Sequence, residues 1–230
     1  MDARRALLER LIDHAALFPP ASMPMAEALA EDRRARESKH AWMLGRFVVP
    51  ASRLAELGDE ERGLSVVADS SATDARIEAI ETRMLGHYVA GVVYVEGASL
   101  DEIAVQGQRA KVRCGGERIP AVEELAAFVR GCRERKLVFK ATAGLHHAYP
   151  TPAGEHGFLN LLAAAVFGDE EDALRAGPGS FELDEHSFRW NGYAAEADEL
   201  ARVRAELLHS IGSCSFFEPV EELLALEILV

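Results

Sequence analysis

Short apolar runs rich in Val and Ile alternate along the chain with longer amphipathic stretches. RFVVP (46–50), LSVVAD (64–69), RIEAIE (76–81), GVVYVE (91–96), AKVRC (110–114) and LVFKAT (137–142) have the length and composition of strands buried on both faces. AALF (15–18), placed before Pro19 and Pro20, reads as a further strand at the start. FLNLL (158–162) reads as an eighth, although its continuation AAAVFG has helical character. Helix patterns occupy 2–12, 25–38 and 52–57. In ASLDEIAVQG (98–107), Ser99 followed by Glu102 forms a capping-box pattern. IPAVEELAAFVRGCRERK (119–136) opens on Pro120 and closes in a basic turn that suits the helix dipole.

Strand alternating with helix predicts a parallel sheet with right-handed crossovers. The expected fold is α/β, a compact (β/α)8 TIM-like barrel with a C-terminal hairpin and helical extension. An open doubly wound sheet is the rival, but no GxGxxG or GxxxxGK[ST] follows the first strand. The C-terminal part reads differently. AGPGS (176–180) is a loop, FELDEHSFRWNG (181–192) a hairpin, AEADELARVRAELLHSIG (195–212) a helix stopped by Gly212, and a last helix starts near Pro219. The expectation is one α/β barrel domain over 1–230, with 178–230 packed on it as an extension.

Composition narrows the function classes. The hydrophobic fraction of 49% over 230 residues is that of a globular protein, and no apolar run approaches bilayer length. A net charge of −13, with dispersed basic residues, argues against nucleic-acid binding. Cys114, Cys132 and Cys214 form no close-spaced set, so reduced thiols in a cytoplasm are expected rather than disulfides or structural zinc. The expected partner is a small-molecule substrate, with neither nucleic acid nor membrane; a homo-oligomer is compatible with the sequence.

Functional residues of a parallel barrel collect at the strand ends. Asp69, Glu81, Glu96, Arg113 and Thr142 occupy such ends, and the last leads into His146 and His147. Alternation puts Lys111 with Arg113, Lys140 with Thr142, and Tyr94 with Glu96 on common faces. Glu96, Lys111 and Lys140 would then form one charged cluster on neighbouring strands inside the barrel. Such a cluster reads either as a structural ion-pair group or as a site in which one lysine serves as a nucleophile for carbonyl carbon.

AKVRCGG followed one helix later by FKATAGL resembles the paired lysine strands of the Schiff-base class I aldolases, the deoxyribose-phosphate aldolase group in particular. The resemblance implies that Lys111 forms the Schiff base and that Lys140 tunes it electrostatically. Here Arg-Cys-Gly-Gly stands where the family has a small-hydroxyl run, and Gly-Leu-His-His replaces its phosphate-binding glycines. The expected activity is thus lyase chemistry on a small carbonyl compound without a cofactor. Lys111 and Lys140 act in catalysis with Glu96 or Glu81 moving protons. Arg113, Thr142, His146 and Asp69 bind substrate, Arg113 by pairing with a carboxylate. An alternative is a metal-dependent lyase, isomerase or hydrolase that holds a divalent metal ion on Glu81, Glu96 and His146. A third is a non-catalytic barrel that binds a small ligand or a protein. Asp13-His14 reads as a carboxylate–imidazole pair or as a helix-end histidine, and Ser215 as a helix cap for Glu218.

Overall fold

The computed structural model describes residues 2–88 and 91–229. Among these, eight parallel strands close into a barrel. In chain order they are β1 (Ile12–His14), β2 (Leu44–Pro50), β3 (Leu64–Val67), β4 (Ile77–Thr82), β5 (Val92–Glu96), β6 (Arg109–Arg113), β7 (Phe139–Thr142) and, after three strands of a separate sheet, β11 (Leu208–Ser213). Each pairs with its neighbours in sequence, and β11 closes the ring between β7 and β1. The fold is a TIM-like α/β barrel. Strands β2 to β7 coincide with the apolar runs, because sheets covered on both faces need residues that are apolar on both.

The helices are α1 (Ala3–Leu8), α2 (Met25–Glu37), α3 (Leu100–Val105), α4 (Val122–Glu134), α5 (Phe158–Phe167), α6 (Glu170–Arg175), α7 (Ala197–Glu206) and α8 (Phe217–Ala225). Ser99 and Glu102 make the reciprocal capping box at the start of α3. The stretch 52–57 lies in a 3-10 segment, Ala51–Glu56. No helix among the described residues is long and apolar enough to cross a membrane. All three cysteines are buried and unpaired.

The first strand is not AALF. Helix α1 ends at Leu8, Arg10 turns the chain with φ 50°, and the strand is the three residues before AALF. Ala15–Phe18 instead forms a turn, with Phe18 N donating to Ala15 O at 2.9 Å. The proline pair that follows has no N–H to give to a ladder.

The eighth strand is likewise displaced. FLNLL is the first half of α5, buried on every side. A helix apolar all round has no periodicity to separate it from a buried strand. Asn160 is held there by donating to Ala173 O and Ala176 O, both at 2.8 Å. The closing strand takes the end of 195–212 and Ser213 after it: α7 stops at Glu206 and the buried Arg204 caps the change by donating to Leu208 O at 2.9 Å. Part of the stretch expected as an extension, 178–230, therefore builds the barrel itself.

The expected hairpin is present. It belongs to a three-stranded antiparallel sheet of β8 (Phe181–Leu183), β9 (Ser187–Trp190) and β10 (Tyr193–Glu196). Trp190 is buried there, tilted against Phe167 and Phe181. Trp42 is half-buried under the guanidinium of Arg5.

Candidate active site

Strand alternation sends Asp13, Ser65, Glu81, Lys111, Lys140 and Ser210 into the barrel, where all are buried. Register then decides which of them meet. Lys111 lies directly opposite Lys140 on the β6–β7 ladder, Glu96 opposite Lys111 on β5–β6, and Ser210 opposite Lys140 on β7–β11. Two lysines side by side on adjacent strands repel each other unless carboxylates come between them.

They do come between. Lys140 Nζ donates to Asp13 Oδ2 at 2.6 Å and to Glu81 Oε1 at 2.5 Å. The other oxygen of Glu81 lies 2.9 Å from Lys111 Nζ, and Glu96 Oε2 lies 3.2 Å from the same nitrogen. Glu96 is engaged in turn by Arg83 at 3.0 Å and Arg113 at 3.4 Å. The result is a chain of alternating charge, Asp13–Lys140–Glu81–Lys111–Glu96, ending in two arginines. Ser210 Oγ donates to Asp13 at 2.9 Å, Ser65 Oγ to Glu81 at 2.7 Å, and Arg46 N to Asp13 at 2.7 Å. With these the buried carboxylate oxygens are satisfied, the condition for burying charge at all.

The electrostatics follow. Burial opposes ionisation of Lys140, but Asp13 and Glu81 outweigh it and hold its pKa above the ordinary lysine value. Burial also works against ionised Glu81, and Lys111 and Lys140 overcome it, pulling its pKa well below the carboxylate range. Asp13 and Glu96 are lowered in the same way, against burial, by Lys140 and Arg46 and by Lys111 and Arg113. Lys140 is therefore a fixed positive charge rather than a neutral amine. Toward the other end of the barrel, Tyr94 Oη and Arg109 meet Nδ1 of His209. Burial, then Arg46 and Arg109, push that histidine down to about 4.

Above the charge chain opens a cavity of about 850 Å3. Glu81, Lys111 and Lys140 form part of its floor, and Arg113, Thr142 and His146 stand on its walls. Glu96 is set behind them on a neighbouring groove with Arg83. The loops after β6 and β7 cross at two glycines. A Cβ on Gly115 would stand 2.9 Å from the Cα of Gly144, and Gly144 itself has φ +68°. The RCGG and TAG turns therefore need glycine for backbone contact as well as for a left-handed conformation.

Not every expected residue is at the site. Asp69 is exposed and accepts from Ser52 N at 2.8 Å and Ser52 Oγ at 2.5 Å, holding the loop after β3 rather than facing the cavity. The structure does not bring Glu81, Glu96 and His146 into one donor group, because both carboxylates are taken up by the lysines. His146 stands beside Ser213 (3.1 Å), Cys214 Sγ (3.6 Å) and Glu218 (3.7 Å). His147 points away to Glu222, at 2.5 Å, as expected of adjacent residues on an extended segment. His156 bonds Pro120 O at 2.8 Å.

Asp13 and His14 are no pair, since alternation separates them. His14 faces outward, fully buried, 3.4 Å from Glu31 and 3.7 Å from Asp32 on α2. Its burial disfavours the charged ring, but the two carboxylates prevail and raise its pKa. Ser215 Oγ accepts from Glu218 N at 3.3 Å, but α8 begins at Phe217, so the cap position falls on Phe216, one residue after the serine expected there.

Sequence reasoning missed Asp13, Ser65 and Ser210 as members of the interior layer. A signal existed for the first: an aspartate directly after the apolar Leu11-Ile12 is as anomalous as Lys140 after LVF. Comparison with known proteins finds no matching family model, no matching curated protein and no matching solved structure. Fold and site define the class, a parallel α/β barrel with a buried chain of lysine–carboxylate ion pairs beneath an open cavity.

Proposed function

We propose that the barrel is a lyase that joins Lys111 to a small aldehyde or ketone as a Schiff base, then makes or breaks a carbon–carbon bond. One observation carries the reading: both carboxylates that hold Lys111 are shared with another cation, Glu81 with Lys140 and Glu96 with Arg83 and Arg113. Lys140, fully buried, keeps its positive charge; Lys111 borders the cavity, where a carbonyl can reach it.

In the proposed step the Lys111 ammonium passes one proton to Glu81 or Glu96, and the freed amine attacks the carbonyl carbon. That proton and a second from nitrogen leave with the carbonyl oxygen as water. The product is an iminium with the single positive charge the lysine began with. Cleavage of the bond between the carbons α and β to the iminium carbon delivers its electron pair to the α carbon, while a hydroxyl on the β carbon gives up its proton to a carboxylate and that carbon departs as a second carbonyl. The enamine left on Lys111 takes a proton at the α carbon, and water hydrolyses the resulting iminium to return the lysine. Arg113, half exposed on the wall, suits a carboxylate on the substrate. The resemblance of the two lysine strands to class I aldolases supports the same roles.

The test is sodium borohydride reduction in the presence of a panel of small aldehydes, ketones and 2-oxo acids, read by peptide mass spectrometry. A mass increment on Lys111, lost in Lys111→Met and not transferred to Lys140, is the expected result. An intact, folded protein that gains no adduct from any panel member discards the Schiff-base reading.

A further inference from the structure

A second group of side chains, at the β7–β11 side of the cavity and not among the carboxylates Glu81 and Glu96, has no part in the chemistry above. His146 comes from the loop after β7, Cys214 from the residue after β11, and Glu218 from the first turn of α8. Each offers one donor atom, and the three atoms lie within 4.8 Å of one another. His146 Nδ1 is 3.6 Å from Cys214 Sγ and 3.7 Å from Glu218 Oε2. Sulfur, nitrogen and oxygen donors bound to zinc at about 2.0–2.3 Å in tetrahedral geometry stand roughly 3.3–3.7 Å apart. The two separations from Nδ1 are of that size, and the sulfur and the carboxylate oxygen lie within 4.8 Å of one another.

The contacts fit poorly with the two simpler roles for such residues. A cysteine nucleophile pairs its sulfur with one ring nitrogen, whereas Sγ is 3.6 Å from Nδ1 and 3.8 Å from Nε2, nearly equidistant from the two and beyond the reach of a short thiol–imidazole bond. A histidine–carboxylate hydrogen bond needs a shorter approach than the 3.7 Å to Glu218. What remains is a set of three donors of different chemistry, gathered from three elements without being bonded to one another as a dyad.

We infer that His146, Cys214 and Glu218 bind a zinc-class divalent cation through Nδ1, Sγ and a carboxylate oxygen. One thiolate, one imidazole and one carboxylate favour a borderline-soft ion over magnesium or calcium. Three protein ligands leave a fourth position, as catalytic zinc sites do. His146 and Cys214 both line the cavity, so that position faces the space above Lys111 and takes an oxygen, from water or from a hydroxyl or carboxylate of a bound small molecule. Ser213 Oγ, 3.1 Å from Nδ1, is placed to exchange its bond with the ring for one with that oxygen. The ligand set shares no residue with the lysine chemistry, so the two proposals stand or fall separately.

Cobalt(II) is the probe. The full-length protein, stripped with a chelator and dialysed, is titrated with Co2+ and then with Zn2+. One equivalent of Co2+ with a thiolate-to-cobalt charge-transfer band and intense tetrahedral d–d absorption is expected, with Zn2+ displacing it. Cys214→Ser should abolish the charge-transfer band. Glu218→Gln, on the exposed side of the group and without burden on the core, should weaken Co2+ binding at least about 10-fold. Lys111→Met should bind as the parent does. No stoichiometric Co2+ binding, or binding whose thiolate band survives Cys214→Ser, overturns the assignment. So does unchanged affinity in Glu218→Gln.

Discussion

Lys140 Nζ on β7 lies 2.6 Å from Asp13 Oδ2 on β1, a contact made across the intervening strand β11 between two fully buried side chains. Neither group has water to fall back on. Replacing Asp13 by Asn leaves Lys140 with Glu81 as its remaining carboxylate, and Glu81 is already shared with Lys111. Breaking one side of a buried pair costs about 3–5 kcal/mol, whereas removing both charges is close to neutral. Asp13→Asn should therefore lower the free energy of urea unfolding by about 3 kcal/mol. The double variant Asp13→Asn/Lys140→Met should recover most of that loss. Additive losses in the double variant would mean that the two side chains do not act as a pair.

The same residues determine part of the pH dependence. Asp13 and Glu81 have folded pKa values below their ordinary 3.8 and 4.5, because Lys140 and Lys111 outweigh the burial that opposes ionisation. A depressed carboxylate contributes stability that is fully present above its unfolded value and drains away as pH falls toward the folded one. Lys140 is raised above its ordinary 10.5, with Asp13 and Glu81 overcoming burial. Its contribution is complete below 10.5 and is lost as pH rises through the folded value. The interior chain is thus at full strength between about pH 4.5 and 10.5. Unfolding free energy measured from pH 2 to 7 should fall more steeply in the parent than in Asp13→Asn/Lys140→Met. Parallel acid limbs would show that these carboxylates do not govern acid stability.

The lysine relationship was open to sequence reasoning because it depends on period and neighbourhood alone. Once β5, β6 and β7 are neighbouring parallel strands, alternation places Glu96, Lys111 and Lys140 on one side of the wall, and the observed register joins them in that order. Asp13 escaped because β1 is only three residues long and follows α1 without a clear breaker. The closing strand escaped for a related reason. LLHSIG continues the apolar pattern of α7, and what ends the helix is Arg204 folding back onto Leu208 O and His209 O, a tertiary event with no local sequence mark. His146 meets Cys214 and Glu218 only because β11 lies beside β7, so no spacing along the chain could announce that group. Asp69 has the position of a site residue at a strand end, yet Ser52 engages both of its oxygens.

The crossing of the β6 and β7 loops gives a third expectation. Gly144 has φ +68°, and a Cβ there would stand 3.1 Å from both Cys114 O and Gly115 Cα, backbone atoms that cannot swing aside. Gly144→Ala combines a left-handed conformation with this crowding and should cost about 1–3 kcal/mol in unfolding free energy. Gly154→Ala is the control. It also has positive φ, +89°, but nothing lies within 4 Å of its added Cβ, so only the conformational part of the cost applies. Equal losses at the two positions would remove the argument from loop crossing. If Gly144→Ala folds, its loops must separate, and borohydride trapping at Lys111 should slow with them.

Glu96 separates proton transfer from electrostatic support. Its Oε2 is 3.2 Å from Lys111 Nζ, and it stands at the edge of the buried chain, mostly covered and braced by Arg83 and Arg113. Glu96→Gln keeps the shape and a hydrogen-bond acceptor but cannot take up the lysine proton. A residue that carries the proton in the rate-limiting step contributes about 10²-fold or more. The single-turnover rate of iminium formation, followed by borohydride quench at saturating carbonyl compound, should fall by about that factor in Glu96→Gln. Half-saturation for the carbonyl compound should stay nearly constant. Glu81→Gln gives the opposite pattern if Glu96 is the acceptor: stability drops, because Lys140 loses one of its two carboxylates, while the rate per folded molecule changes little. A rate that falls only in Glu81→Gln transfers the proton role to Glu81 and leaves Glu96 as the residue that holds Arg83 and Arg113 beside the cavity.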